Sequence, residues 1–238
     1  MARRLFGVCA AIAFAVVGVS LWADSNPVKI GVLYELSGPL AAAGTKTCHG
    51  VELAADVVNN VYPGLPLTIA QWEGIPSLGN AKIELVIKDT RADPSLAADL
   101  AKQLILDEKV VALIGCRLSS VTKTASAVAE RYGVPFVCAA ATSRALTERG
   151  YKWFWRTSPN DYTLTQDLFA LLKGLTEGKV RGVPPIPKEE IDEVAVAAEN
   201  TEWGSACFEH ILELAAKEGY NVVQALKYPH TAPDLTSE

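Results

Sequence analysis

Apolar residues in this chain follow two alternating periodicities. Short β-branched runs recur at Val28–Tyr34 (VKIGVLY), Lys82–Asp89 (KIELVIKD), Val110–Ile114 and Val134–Val137. Between them apolar positions recur at helical spacing, which predicts helices from about Ala41 to Asn60, Pro94 to Glu108 and Ser120 to Tyr132. Strand and helix in strict alternation predict a doubly wound parallel sheet, because right-handed crossovers make successive strands parallel. Val110–Thr147 is the most informative stretch. Each of its two strands ends in a turn of small and hydroxyl residues, Ser119-Ser120 after the first and Ala139-Ala140-Ala141-Thr142-Ser143 after the second. Parallel strands bring both turns to one carboxyl edge, where open α/β sheets bind ligands.

Local signals refine these elements. Asp93-Pro94 is an N-cap with a first-turn proline, and Leu96, Leu100, Leu104 and Ile105 form the apolar stripe of the helix that follows. Gly44 and Gly50 weaken the first helix or mark close backbone approach. The Pro- and Gly-rich stretch Tyr62–Asn80 reads as a surface loop, with an edge strand over Leu65–Trp72. After Thr147, Tyr151–Arg156 (YKWFWR) is strand-like and leads the chain out of the first sheet, and Asp161 caps a helix running to about Leu175. A loop at Glu177–Glu190, a strand at Glu193–Ala198, a turn at Asn200–Gly204, a helix at Ser205–Glu218 and a strand at Asn221–Tyr228 complete the chain. Two strands and two helices are too few for an independent core, so residues 157–238 read as an incomplete second α/β lobe beside a lobe at 24–156.

Composition narrows the setting. Half of the residues are hydrophobic and 21% charged, as in a folded globular protein. The net charge of −5 and the lack of a basic patch exclude nucleic acid as a partner. Residues 1–23 read as a signal peptide: Arg3 and Arg4 precede an uncharged apolar run, Leu5–Leu21, and Ala23 closes a cleavage site. The alternative is an uncleaved anchor, since the run just reaches the length that spans a bilayer. Cleavage leaves 20 basic against 27 acidic side chains, a net charge of −7, and places the body in an oxidising compartment. Cys48, Cys116, Cys138 and Cys207 lack metal-ligand spacing and read as small buried residues, with one disulfide as the alternative.

The chemistry on offer is binding, not catalysis. Gly38…Gly44-Thr45-Lys46 imitates a phosphate-binding loop, but five residues separate the glycines and Thr45 displaces the lysine, so that cradle is broken. G-x-S-x-G and H-E-x-x-H are absent, and His49, His210 and His230 have no partnered nucleophile, so neither an enzyme nor a cofactor is expected. The turns after the third and fourth strands are different. Free N–H groups where Ser119-Ser120 opens a helix favour an anion, and hydroxyls and backbone carbonyls suit an ammonium. The plainer roles are N-capping for Ser119 and Ser120, capping of the Ser143–Glu148 turn for Thr142, and packing for Trp203.

The stretches VKIGVLYELSGPLAAAG, KIELVIKDTRADPSLA and VVALIGCRLSSVTKTASAVAERYGVPFVCAAATSRALTERG, continued by WFWRTSPND and the Glu199–Gly204 turn, carry a resemblance. In this order the chain resembles the periplasmic substrate-binding proteins of branched-chain amino acid ABC transporters, leucine-binding-like proteins of the type I periplasmic binding fold. The resemblance spans Val28 to about Pro229 and implies two α/β lobes closing on an amino acid for a membrane permease. By position, it gives Ser119 the ligand carboxylate, Ala140 (through its carbonyl) and Thr142 (through its hydroxyl) the α-amino and carboxylate groups, and Trp203 an aromatic contact from the second lobe. Family members continue well past this length, and an acidic partner for the ammonium lies in the segments absent here. The loops at Tyr62–Asn80 and Gly178–Glu190 are longer than usual, and Ala43 stands where some members place an aromatic contact. The alternatives are a ligand-sensing receptor module and a remnant that cannot bind.

Overall fold

The computed structural model describes residues 26–229 together with 231 and 232. The signal-peptide reading and His230 fall outside them. Five parallel strands form the main sheet: β1 (Val28–Tyr34), β2 (Ile83–Asp89), β3 (Ala112–Gly115), β4 (Phe136–Cys138) and β5 (Phe154–Arg156). Their order is β2-β1-β3-β4-β5, so the winding reverses between β1 and β3. β5 is the aromatic stretch read as leaving the sheet, and it does so as the sheet's last strand, paired through Phe136–Phe154 and Cys138–Arg156.

Successive residues of β1 face opposite layers. Val32 and Tyr34 pack with Cys48 of helix α1 (Ala41–Asn59), and Leu33 packs into the larger core on the other face. That core joins Leu113, Phe136 and Phe154 to α2 (Pro94–Leu106) and α3 (Ser119–Tyr132). The buried stripe of α2 is Ala97, Ala101 and Leu104, with Leu100 and Ile105 only partly buried against it. Small residues therefore lead where leucines were expected, because α2 and α3 pack against each other and alanine lets the helices approach. Asp93 caps α2 as anticipated, its side chain accepting from the N–H groups of Ser95 at 2.7 Å and Leu96 at 2.9 Å.

Two expectations need correction. Leu65–Trp72 is not a strand: Thr68–Ala70 forms a 3-10 turn, and the Gln71 side chain donates to the carbonyls of Leu65 and Leu67. Pro66 has no N–H for a ladder, so the loop meets its hydrogen bonds locally. Of the two glycines in α1, only Gly44 marks a close approach; a Cβ there would stand 1.8 Å from the Glu35 carbonyl oxygen, whereas Gly50 faces open space. Gly44 thus sits inside a helix pressed onto the β1 turn, not in a phosphate loop.

The remaining chain forms α4 (Asp161–Thr176), β6 (Glu193–Glu199), α5 (Glu202–Glu218) and β7 (Asn221–Tyr228). β6 and β7 pair in parallel as a separate two-stranded sheet, with a register shift between Val194 and Ala195. Its core is small: Phe169, Leu214, Ala215 and Tyr220, with Ile211 and Val222 against them.

Candidate functional site

The carboxyl edge of the main sheet carries the turns after β1, β3 and β4 side by side. β3 ends at Gly115, where a Cβ would lie 2.2 Å from the Leu33 carbonyl oxygen, so glycine lets β3 close tightly on β1. Cys116, Arg117 and Leu118 then turn the chain into α3. Thr122 locks this turn, its hydroxyl donating to the carbonyls of Leu118 at 2.8 Å and Cys116 at 3.2 Å.

Ser119 and Ser120 are the first two residues of α3, and its N-cap is Leu118, in extended conformation with no side-chain cap. The N-capping alternative for the two serines is thereby replaced. No side chain covers the N–H groups of the first turn, which, with the helix dipole behind them, suit an anion. Ser119 is buried, and its hydroxyl accepts from the Ser143 N–H at 3.3 Å, tying the β3 turn to the β4 turn. Ser120 is half-buried one position on.

The β4 turn runs from Ala139 to Ser143. Ala140 and Thr142 are half-buried in it, while Ala141 and Ser143 are buried. The turn is held from below by the Ala141 N–H donating to the Cys138 thiol at 3.3 Å and by Arg156 donating to the Ser143 carbonyl at 2.7 Å. Arg149 clamps the far side: it donates to the Leu146 carbonyl, the Lys123 carbonyl and the Ser126 hydroxyl, and stacks over Tyr151. Thr142 does not cap the following turn, whose N-cap is Ser143 with no side-chain hydrogen bond. Its carbonyl instead accepts from the Asp161 N–H at 2.9 Å.

Asp161 is the residue that sequence reasoning missed in this role. It is the first residue of α4, while Asn160 is the N-cap, accepting from the Thr163 N–H at 2.9 Å. Asp161 is only 2% exposed; its Oδ1 accepts from the indole N–H of Trp203 at 2.9 Å, and its Oδ2 is buried with no partner. Burial pushes the Cys207 thiol up to about 12, and the charge of Asp161 and a thiol hydrogen bond to its carboxylate add to the rise. Trp203 lies in the first turn of α5, earlier in the helix than the sequence suggested, with Thr201 as N-cap. It is 44% exposed, so its ring is not core. Lys123 of α3 and Glu202 of α5 pair at 3.1 Å beside it.

The β1 turn completes the edge. Glu35 is buried and pairs with Arg117 Nε. Asp89, ending β2, accepts from the N–H groups of Leu36 at 2.8 Å and Arg91 at 2.9 Å. Burial raises the Asp89 carboxyl, but hydrogen bonds from Ser37, Leu36 and Arg91 outweigh it and hold it below the usual range.

The fold thus brings Ser119, Thr142 and Trp203 into one hydrogen-bonded set through Ser143 and Asp161, with Ser120 and Ala140 on the same two turns. The four cysteines of the described body are free thiols, Cys138 donating to the Cys116 carbonyl at 3.3 Å. Among the described residues no group of three His, Cys, Asp or Glu is placed to hold a metal ion. Two hollows, of about 250 and 210 Å³, lie along α4, α5 and β6, away from this edge.

Known proteins share this architecture. Residues 27–238 match the family described as Periplasmic binding protein. Two curated relatives from Brucella suis biovar 1 are each 28% identical: Leu/Ile/Val-binding protein homolog 7, over 90% of this chain and 48% of its own length, and homolog 8, over 100% and 53%. Among solved structures, the branched-chain amino acid transporter substrate binding protein LivJ from Streptococcus pneumoniae, in complex with isoleucine, superposes with a TM-score of 0.66 at 24% identity, covering 89% of this chain and 52% of its own. A solute binding protein from R. palustris in complex with 4-hydroxybenzoate gives 0.66 at 22% identity, covering 88% and 49%. The chain spans about half the length of the curated relatives it matches. On the family match over residues 27–238 and the parallel α/β sheet, the chain belongs to the periplasmic binding protein family, with the type I fold.

Proposed function

We propose that this chain contributes the carboxyl-edge half of an amino-acid-binding cleft in an extracytoplasmic solute-binding protein serving an ABC transporter permease. The observation that carries the reading is Asp161: a buried carboxylate whose Oδ1 accepts from the Trp203 indole and whose Oδ2 is unmet, on a residue whose backbone N–H donates to the Thr142 carbonyl. A zwitterion needs these two poles. The α3 N–H groups with the Ser119 and Thr142 hydroxyls take its carboxylate, and the Ala140 carbonyl with Asp161 takes its ammonium. Asp161 supplies from within this chain the acidic partner that the family resemblance placed in later segments. Ser120 lies in the anion-facing first turn, and Trp203 covers the ligand from the second unit.

No covalent step is involved. Binding acts by shifting a population of lobe arrangements, and the contacts that would respond are those joining the units: Lys123–Glu202, the Asp161 N–H to the Thr142 carbonyl, and the Arg144 guanidinium 4.7 Å from the Tyr162 ring centroid. The ligand class is a small amino acid or related carboxylate, in keeping with relatives named for leucine, isoleucine and valine and a neighbour holding 4-hydroxybenzoate. Titration with L-amino acids, followed by tryptophan emission, tests this. A saturable change is expected because Trp203 lies at the site; an unchanged spectrum across the panel contradicts it.

A further inference from the structure

Glu35 and Arg117 stand at the switch point between β1 and β3, where the winding of the sheet reverses. Glu35 is 1% exposed, and the Arg117 side chain is 28% exposed. A guanidinium facing a carboxylate can form two parallel hydrogen bonds. Here only Arg117 Nε meets Glu35 Oε1, and Glu35 Oε2 and Arg117 Nη2 are both buried without a partner. An unmet buried polar group is costly, so two of them on one paired couple of side chains call for a further group that meets both. Nothing in the amino-acid site above uses this pair.

The chemistry of that third group follows from the two atoms. Oε2 is an acceptor and Nη2 a donor, so one group that both donates and accepts satisfies them together. A hydroxyl or a primary amide does this. A carboxylate is repelled by Glu35, an ammonium by Arg117, and an aliphatic end leaves both atoms unmet. Position agrees: the turns after β4, β3 and β1 follow one another along the edge at strand spacings of roughly 4.8 Å. A ligand whose α-groups lie at Thr142 and Ser119 therefore directs its side chain toward the β1 turn. Arg117 is the movable member of the pair, since Glu35 is locked under Gly44.

We infer that the Glu35–Arg117 pair is a specificity-determining subsite, selecting a small carboxylate ligand with a distal hydroxyl or amide over its aliphatic isostere. This rests on the amino-acid-site reading above. The test is calorimetric titration of the 238-residue chain with two isosteric pairs, threonine against valine and asparagine against leucine. Threonine and asparagine are expected to bind about tenfold or more tighter than their partners. The double variant Glu35→Leu/Arg117→Met removes both charges at similar volume, and so leaves no unpaired buried ion. In it the preference is expected to vanish or reverse while valine still binds. A wild-type preference for valine and leucine that Thr142→Ala abolishes overturns the subsite and leaves the amino-acid site standing. An unchanged threonine-to-valine ratio in the double variant also overturns it, as expected if a bridging water alone joins the pair. No heat from any of the four ligands overturns both readings.

Discussion

The two units of this chain are built from the same strand-helix alternation and differ in how far they are closed. In the five-stranded unit, β1 is covered on both faces: Leu33 lies under α2 and α3, and Val32 and Tyr34 under α1. In the two-stranded unit, the buried set shrinks to Phe169, Leu214, Ala215 and Tyr220, and α4 exposes Leu164, Leu168 and Leu171. Rigidity at the candidate site is therefore borrowed from the first unit, and the second is held to it by a few contacts: the Asp161 N–H to the Thr142 carbonyl, Lys123 to Glu202, and Arg144 over the Tyr162 ring. A firm half carrying the Ser119, Ala140 and Thr142 anchors and a looser half carrying Asp161 and the aromatic cover suit a clamp that opens.

The largest test of this contrast is in the cores. Phe136→Ala, at a fully buried ring between β3 and β5, is expected to cost about 3–5 kcal/mol and to lower the main unfolding transition. Phe169→Ala empties a smaller, more open core that can collapse, so its cost is expected near the bottom of that range, with loss of protection confined to α4 to β7. Hydrogen exchange on both variants checks this; equal, global loss in both removes the distinction between the units.

Next in size is the link between them. Asp161→Asn keeps the shape and the Trp203 hydrogen bond but removes the charge. It is expected to weaken amino-acid binding about 100-fold, equivalent to about 2.7 kcal/mol, with little change in Tm. Calorimetry beside thermal melts reads both quantities, and undiminished binding takes Asp161 out of the site.

The smallest effect lies at the outer turn of the firm unit. The Asp89 carboxyl is held below its unfolded value, so the stability it adds is complete above about pH 4 and is lost as pH falls through its folded value. Asp89→Asn is expected to lower stability at neutral pH and to flatten the acid side of the stability profile. A parallel shift at every pH would show that the hydrogen bonds, not the charge, carry the effect.

Much of the first unit was legible in the sequence because periodicity and turn chemistry agreed there: Asp93 capped where expected, and the β3 and β4 turns share one edge. The errors fell where local bonding competed with pattern. Leu65–Trp72 reads as β-like, but Pro66 and the Gln71 side chain settle it as a turn. The hydroxyls of Ser119 and Ser120 suggest caps, yet Leu118 takes that position and Ser119 reaches across to Ser143, a contact between residues 24 apart. Asp161 looked like an ordinary helix cap, and its burial appears only once the β4 turn and α5 close around it. Glu35 and Arg117 lie in turns 82 residues apart, with no periodicity to link them, and only the fold brings those turns together at the switch point.

The most direct test of the amino-acid site is isothermal calorimetry of the 238-residue chain with leucine, valine, threonine and asparagine, alongside Thr142→Ala. Saturable heat from at least one ligand is expected, abolished in the variant while its Tm stays close to wild type. Heat that survives Thr142→Ala, or a folded protein giving no heat with any ligand, contradicts the account.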